Sequence, residues 1–352
     1  MGLPSDTTVI FSNFPNDWIV GIDLQFFNSS HLLRGIKLIP DGIHVVHFAQ
    51  DSNSIRSGFY FEAKENEVII LYWNEKDEKM YITEELGELN VSKELSKLPQ
   101  SYPYMIQYPE DQSWEKLTNS INIGQVNYIL PHKKRIDSVI TSIDENNLLL
   151  DALQKSAQNR NLSKDPIIDS IIDQTNEEIK YTLIDFNKSI RPNSTPEQKT
   201  RDALDKTWFL NHTLITSYNS IEILLLSEFQ QSFLNMVIFA NYSSSIQWLK
   251  FLKIFFNCKD ILNEKPDFFN SWIDIINLQF EKIPEDYFND FIEEEFIKKS
   301  IGEFDYTVKE LNIHRLVKKT MYMKSIIESR FGIIIQGIDD EEDEEGPVIV
   351  EL

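Results

Sequence analysis

In the first third of the chain the apolar positions come in short runs. These are Val9-Ile10-Phe11, Trp18 to Leu24, Ile43 to Phe48, Phe59-Tyr60-Phe61, Val68 to Trp73 and Met80 to Thr83. Asn, Asp, Gly and Pro separate them, and these residues close turns, so the pattern predicts β-strands. Ile43 and Val45 fall on one side of their strand, Val46 and Phe48 on the other. Apolar residues on both faces predict a central strand. Asn74 to Lys79 reads as a polar hairpin loop. Two helices are expected next, over Thr83 to Leu98 and Ser113 to Ile121. In the second, Ser113 is placed to cap the helix, while Trp114, Leu117 and Ile121 share a face.

The pattern then loosens. Asp144 to Leu153 reads as a short helix with Asp144 as its cap, and the polar stretch Lys155 to Lys164 reads as a linker. Tyr181 to Phe186 reads as one more strand. From Thr200 onward the period becomes helical, with Leu204, Trp208, Asn211 and Leu214 on one face. Leu224 to Ala240 is apolar almost all round, which predicts a central helix. Ser243 or Ser244 starts the next. Pro266 suits the first turn of another, and Pro284 stops it. Tyr287 to Ile297 and Phe304 to Phe331 add two more, and Gly332 is placed for a left-handed cap. Stacked antiparallel helices are expected in this half.

The reading is α+β: a β-rich, sandwich-like N-terminal domain (1–153), a linker (154–178), a helical C-terminal domain (179–336) and an acidic extended tail (337–352). Asp339 to Glu345 is an unbroken acidic run, which repels itself and stays extended. The β-branched ending Val348-Ile349-Val350 suits a strand once an edge is offered.

Composition narrows the function. A formal charge of −22 repels phosphate backbones and favours basic protein partners, so direct nucleic-acid binding is not expected. Cys258 is the single cysteine, which excludes an intramolecular disulfide and a cysteine-based zinc cluster. It also fits a reduced compartment. Met1-Gly2 lacks the Ser/Thr of a myristoylation start, since Asp6 holds that position. No uncharged, continuously apolar run approaches the roughly 18 residues of a membrane span. The expectation is a protein of cytoplasm and nucleus, monomeric alone, with no membrane contact.

Candidate chemistry is sparse. His44 and His47 are three apart on a strand and point to opposite faces, a poor metal pair. His31, His132, His212 and His314 are isolated. Asp23, after Gly21-Ile22, sits where a catalytic aspartate sits in a dyad. The only second Gly-Ile-Asp is Gly337-Ile338-Asp339, at the mouth of the tail. Asp23 is therefore expected at a turn, or bonded to backbone amides at a strand end. Pro40-Asp41-Gly42 is turn geometry. There is no P-loop, no dinucleotide-binding glycine turn and no nucleophile elbow. Lys133-Lys134-Arg135 is too short for an RNA site. No catalytic residue, metal or cofactor is expected.

The motifs converge on one family. Gly21-Ile22-Asp23, the run Arg34 to His44, His47-Phe48, Gly58 to Phe61 and Ser101-Tyr102-Pro103-Tyr104 resemble the AAR-two splicing-factor family. So do Leu226 to Gln230 with Phe233, Asn241 to Trp248, Ile283 to Phe288 and the ending Pro347 to Leu352. Ser227, where the family tends to have Gly, and Gln231-Ser232, where a small apolar residue is usual, depart from the pattern. The resemblance implies a helical half of VHS-like type and a non-enzymatic assembly factor for the U5 small nuclear ribonucleoprotein. It implies binding to the RNase H-like and Jab/MPN-type domains of Prp-eight, which keeps the helicase Brr-two and RNA away until assembly is complete. For the tail it implies a partner-binding strand: Pro347, Val348, Ile349, Val350, Glu351 and Leu352. The alternative is a general helical adaptor that binds peptide cargo through its VHS-like half. A third is a hydrolase built on Asp23.

Overall fold

The computed structural model describes residues 6–109, 111–131, 134–159 and 178–336. The tail, with Pro347 to Leu352, lies outside the described residues, as does 160–177 of the expected linker. Among the described residues, ten strands form two five-stranded sheets. The first has the order β8 (Lys79–Ile82), β7 (Val68–Asn74), β1 (Thr7–Ser12), β4 (Gly35–Ile39), β9 (Ile106–Gln107). The second runs β10 (Arg135–Asp137), β6 (Ser57–Ala63), β5 (Gly42–Ala49), β2 (Ile19–Ile22), β3 (Gln25–Asn28). β5 lies mid-sheet, as its two apolar faces require.

The sheets face each other across one core. Val9, Phe11 and Ile36 meet Val46, Phe48, Phe59 and Phe61 there. Burying each of these side chains stabilises by roughly 1.5–3 kcal/mol. Helix α1 (Glu88–Ser101) covers the outside of the first sheet, with Leu98 against Ile10 and Ile70. The outside of the second sheet, Ile43, Val45 and Tyr60, packs into the same core as the helical half. The order of layers is therefore α1, sheet, sheet, helices.

Between the sheet and that half lie α2 (Gln112–Thr118), α3 (Ile123–Ile129) and α4 (Ile143–Asn159). The half itself holds α5 (Pro196–Leu204), α6 (Thr207–Tyr218), α7 (Glu222–Phe239), α8 (Tyr242–Phe255), α9 (Ile261–Glu264), α10 (Pro266–Lys282), α11 (Glu285–Phe291), α12 (Glu294–Glu310) and α13 (His314–Phe331). Helix α7 is buried without interruption from Leu225 to Phe239, the all-round burial its sequence demands. Pro266 opens α10, and Gly332 closes α13 with a φ of 69°.

Several expectations are corrected. Asp111, not Ser113, caps α2, because its carboxylate accepts from Ser113 N at 2.9 Å. The helix expected through Leu204 and Trp208 breaks at Asp205, which accepts from Thr207 N and Asp260 N, and Leu204 is exposed. The two helices read beyond Tyr287 are three, since the chain leaves helical geometry at Ile292-Glu293 and again at Leu311 to Ile313. The helices are not all antiparallel. Arg315 pairs with Asp267, Lys319 with Asp274 and Tyr322 with Glu281, so α10 and α13 ascend together.

Tyr181 to Phe186 is not a strand. One isolated bridge, Ser142 to Ile179, is all the β-pairing nearby. This stretch, 178–185, is a strap held by backbone bonds at Ile179 and Lys180 and by side chains beyond them. Thr182 N donates to Glu228, and the Tyr181 hydroxyl bonds Ser244.

Candidate functional site: a buried seam between sandwich and helices

The polar interior collects where the second sheet meets the helices. Gly21 and Gly58 let the parts approach. A Cβ on Gly21 would lie 2.1 Å from the His47 ring. One on Gly58 would lie 2.4 Å from Val46 O and 2.7 Å from the Phe239 ring. The last turn of α7 thus rests directly on the sheet.

Asp23 joins β2 to β3 with a left-handed φ of 57°, a conformation Asp tolerates. Its Oδ1 accepts from Val45 N at 2.9 Å. Its Oδ2 accepts from His44 Nδ1 at 2.7 Å and from the Tyr108 hydroxyl at 2.6 Å. His44 Nε2 faces Pro40 O at 3.0 Å. Both ring nitrogens of His44 are thus engaged, and Asp23 and His44 form a buried hydrogen-bonded pair. The strand-end role expected of Asp23 holds, and His44 and Tyr108 join the Val45 amide as its partners. His44 and His47 do leave opposite faces of β5. Yet His47 reaches Asp23 as well, donating from Nε2 to the Asp23 carbonyl at 3.0 Å. Burial first, then Arg56, lowers the His47 pKa to about 3, so this ring is neutral. Asp, His and Tyr are residue types of acid–base catalysis. Here the polar atoms of Asp23, His44 and Tyr108 bond the turn and each other, in a site 2–3% exposed at His44 and Asp23, while His47 Nδ1 is buried without a partner.

From Tyr60 a one-way chain of hydrogen bonds crosses the seam. The Tyr60 hydroxyl donates to Asn235 Oδ1 at 2.7 Å. Asn235 Nδ2 donates to the Tyr181 hydroxyl at 2.8 Å. Tyr181 donates to Ser244 Oγ at 2.8 Å, and Ser244 donates to Asn241 Oδ1 at 2.6 Å. Asn241 Nδ2 then returns to Asp137 O and Ile140 O, at the end of β10. The circuit runs sheet, α7, strap, α8, sheet.

A second cluster fastens the strap. Glu228 on α7, 2% exposed, accepts from Thr182 N, Thr182 Oγ1, the Tyr218 hydroxyl and Gln247 Nε2, all at 2.8–2.9 Å. Burial raises the Glu228 pKa, and these four donors pull the other way. On the opposite side of α7, Gln230 accepts from Ser120 N and donates to Lys116 O and Asn119 Oδ1.

Sequence reasoning reached Asp23, His44 and His47 but missed Tyr60, Asn235, Tyr181 and Glu228. The one available signal was polar residues inside the otherwise apolar α7: Ser227, Glu228, Gln230, Gln231, Ser232 and Asn235. Cys258 is buried, with its thiol pKa raised by burial. Among the described residues no group of three or more His, Cys, Asp or Glu could hold a metal ion. No helix among them is long and apolar enough to cross a membrane.

A β-sandwich fused along one face to a helical bundle, with a buried polar seam at the junction, defines an α+β class of protein. The chain belongs to the AAR2 (AAR-two) family: the AAR2 N-terminal domain matches residues 5–131 and the AAR2 C-terminal repeat region matches residues 181–336. It is 27% identical to the A1 cistron-splicing factor AAR2 of Saccharomyces cerevisiae, covering 97% of each chain. It is 23% identical to the AAR2 homolog of Caenorhabditis elegans, over 92% of this chain and 93% of that one. The mouse homolog is 21% identical, over 98% of this chain and 93% of its own.

Proposed function

We propose that this chain is a non-enzymatic assembly factor in pre-mRNA splicing that acts on the U5 small nuclear ribonucleoprotein. The observation that carries the reading is end-to-end similarity to a protein named a splicing factor, with both family regions in one chain. In this reading the chain binds the RNase H-like and Jab/MPN-type domains of Prp-eight. It masks the surfaces that the helicase and RNA later occupy. The seam supports such a role: a rigid body holds two partner domains in fixed relation better than a hinged one. The −22 charge steers basic partner surfaces toward it and keeps RNA away. Pro347 to Leu352 would add a strand to the partner. The chain would work in cytoplasm and nucleus, as a monomer when alone.

The test is a pull-down of the two Prp-eight domains by the intact chain at moderate salt. Retention of both supports the reading, and retention of neither ends it. Ending the chain at Ile338 should weaken capture of the RNase H-like domain; unchanged capture refutes strand addition by the tail.

A further inference from the structure

The second sheet ends on a strand with nothing beside it. Among the described residues β3 pairs with β2 alone. Asp23 N donates to Val45 O at 2.7 Å, which fixes the alternation along β2. Ile22 and Val20 then bond toward β3, so their register partners Gln25 and Phe27 bond inward. The backbone N–H and C=O groups of Phe26 and Asn28 point outward, past the sheet.

The side chains at this edge are unusual for an acidic protein. Phe26 is 45% exposed. The Phe26 ring lies 4.7 Å from the His47 ring, and the Arg56 guanidinium sits 4.8 Å from its centroid. Arg56 is half-buried, which lowers its pKa. Among the described residues its one hydrogen-bond acceptor is Ile238 O, at 3.0 Å from Nη1. Its Nε is buried without a partner, and no carboxylate of the described residues pairs with it. Desolvation without a counter-charge is a cost, and a carboxylate removes it by charge-assisted bonds.

We propose that the outer edge of β3 is a strand-addition site for an extended protein segment that brings an aspartate or glutamate to Arg56. The outward groups of Phe26 and Asn28 supply two donors and two acceptors for the incoming backbone. Alternation places every second incoming side chain on the Phe26 face, beside the guanidinium. Apolar neighbours of the acid cover Phe26. The site is separate from the tail-borne contact proposed above and does not depend on the splicing reading.

The probe is a fluorescein-labelled, amidated peptide, Thr-Val-Asp-Val-Thr-Val, with its Asn counterpart, titrated into the full chain by anisotropy. The Asp peptide should bind roughly tenfold more tightly than the Asn peptide. It should also slow hydrogen exchange at residues 25–28. Arg56→Gln should bring the Asp peptide down to the level of the Asn peptide. Because that substitution also removes the bond to Ile238, Asn28→Pro is the second variant. It deletes an outward N–H, spares the ladder to β2, and should weaken both peptides alike. Equal affinity for the two peptides overturns the proposal, as does exchange protection confined to other strands. A concentration-dependent dimer abolished by Asn28→Pro also overturns it, making the edge a contact between copies of this chain.

Discussion

The Tyr60 hydroxyl, on β6, donates a 2.7 Å hydrogen bond to Asn235, on α7. That bond ties the sheet to the central helix in the middle of a core that both halves share. The two halves should therefore unfold together. Denaturant unfolding followed by near-ultraviolet circular dichroism and by hydrogen exchange should give one coincident transition. Two resolved transitions would mean that the seam does not couple the halves.

Tyr60→Phe leaves Asn235 Oδ1 buried without its donor. The expected cost is about 1–3 kcal/mol, read as a lower denaturant midpoint with an unchanged slope. A change below a few tenths would show that Asn235 finds another donor.

Glu228→Gln should cost more than Tyr218→Phe. The amide nitrogen would face Thr182, Tyr218 or Gln247 groups that now donate to a carboxylate. We expect a loss of about 2–4 kcal/mol and faster proteolysis near 178–185. An intact strap in Glu228→Gln would move the fastening to the packing of Tyr181.

Removing one member of the Asp23–His44 pair strands the other in the core. Asp23→Asn puts an amide nitrogen against groups that now donate to a carboxylate and should destabilise by about 1–3 kcal/mol. Thermal denaturation at neutral pH checks it, and a shift within error would show that the amide satisfies the same partners.

Stability should fall in mild acid because of His47. Its folded pKa of about 3 lies below the ordinary 6.5, so the unfolded chain takes up the proton first. The contribution is intact above pH 6.5 and is lost as pH falls toward 3, at about 1.4 kcal/mol per unit. His47→Gln should flatten the slope of unfolding free energy between pH 6 and pH 4. An identical slope in the variant refutes this assignment.

Much of the architecture was legible in residue patterns. The two-faced apolar run Ile43 to Phe48 marked the central strand, and the all-round apolar run from Leu224 marked the central helix. Pro266 and Gly332 marked helix ends by backbone geometry alone. What failed was set by distant side chains. Tyr181 to Phe186 has strand-like residues, but Glu228 and Gln247 hold the Thr182 backbone groups that a neighbouring strand would otherwise pair. Asp205 stops a helix by accepting from two backbone amides, one of them at Asp260. Asp23 gains its partner from Tyr108, which is 85 positions away. Local periodicity carries no trace of such pairings.

The bond between Tyr60 and Asn235 also spans 175 positions of chain. At a synthesis rate of about 5–20 residues per second, Tyr60 is made roughly 9–35 seconds before its acceptor. Through that interval the nascent sandwich carries Ile43, Val45 and Tyr60 on an uncovered face. The protein is thus exposed to aggregation while it is being born, and a holdase that grips this face should raise its yield.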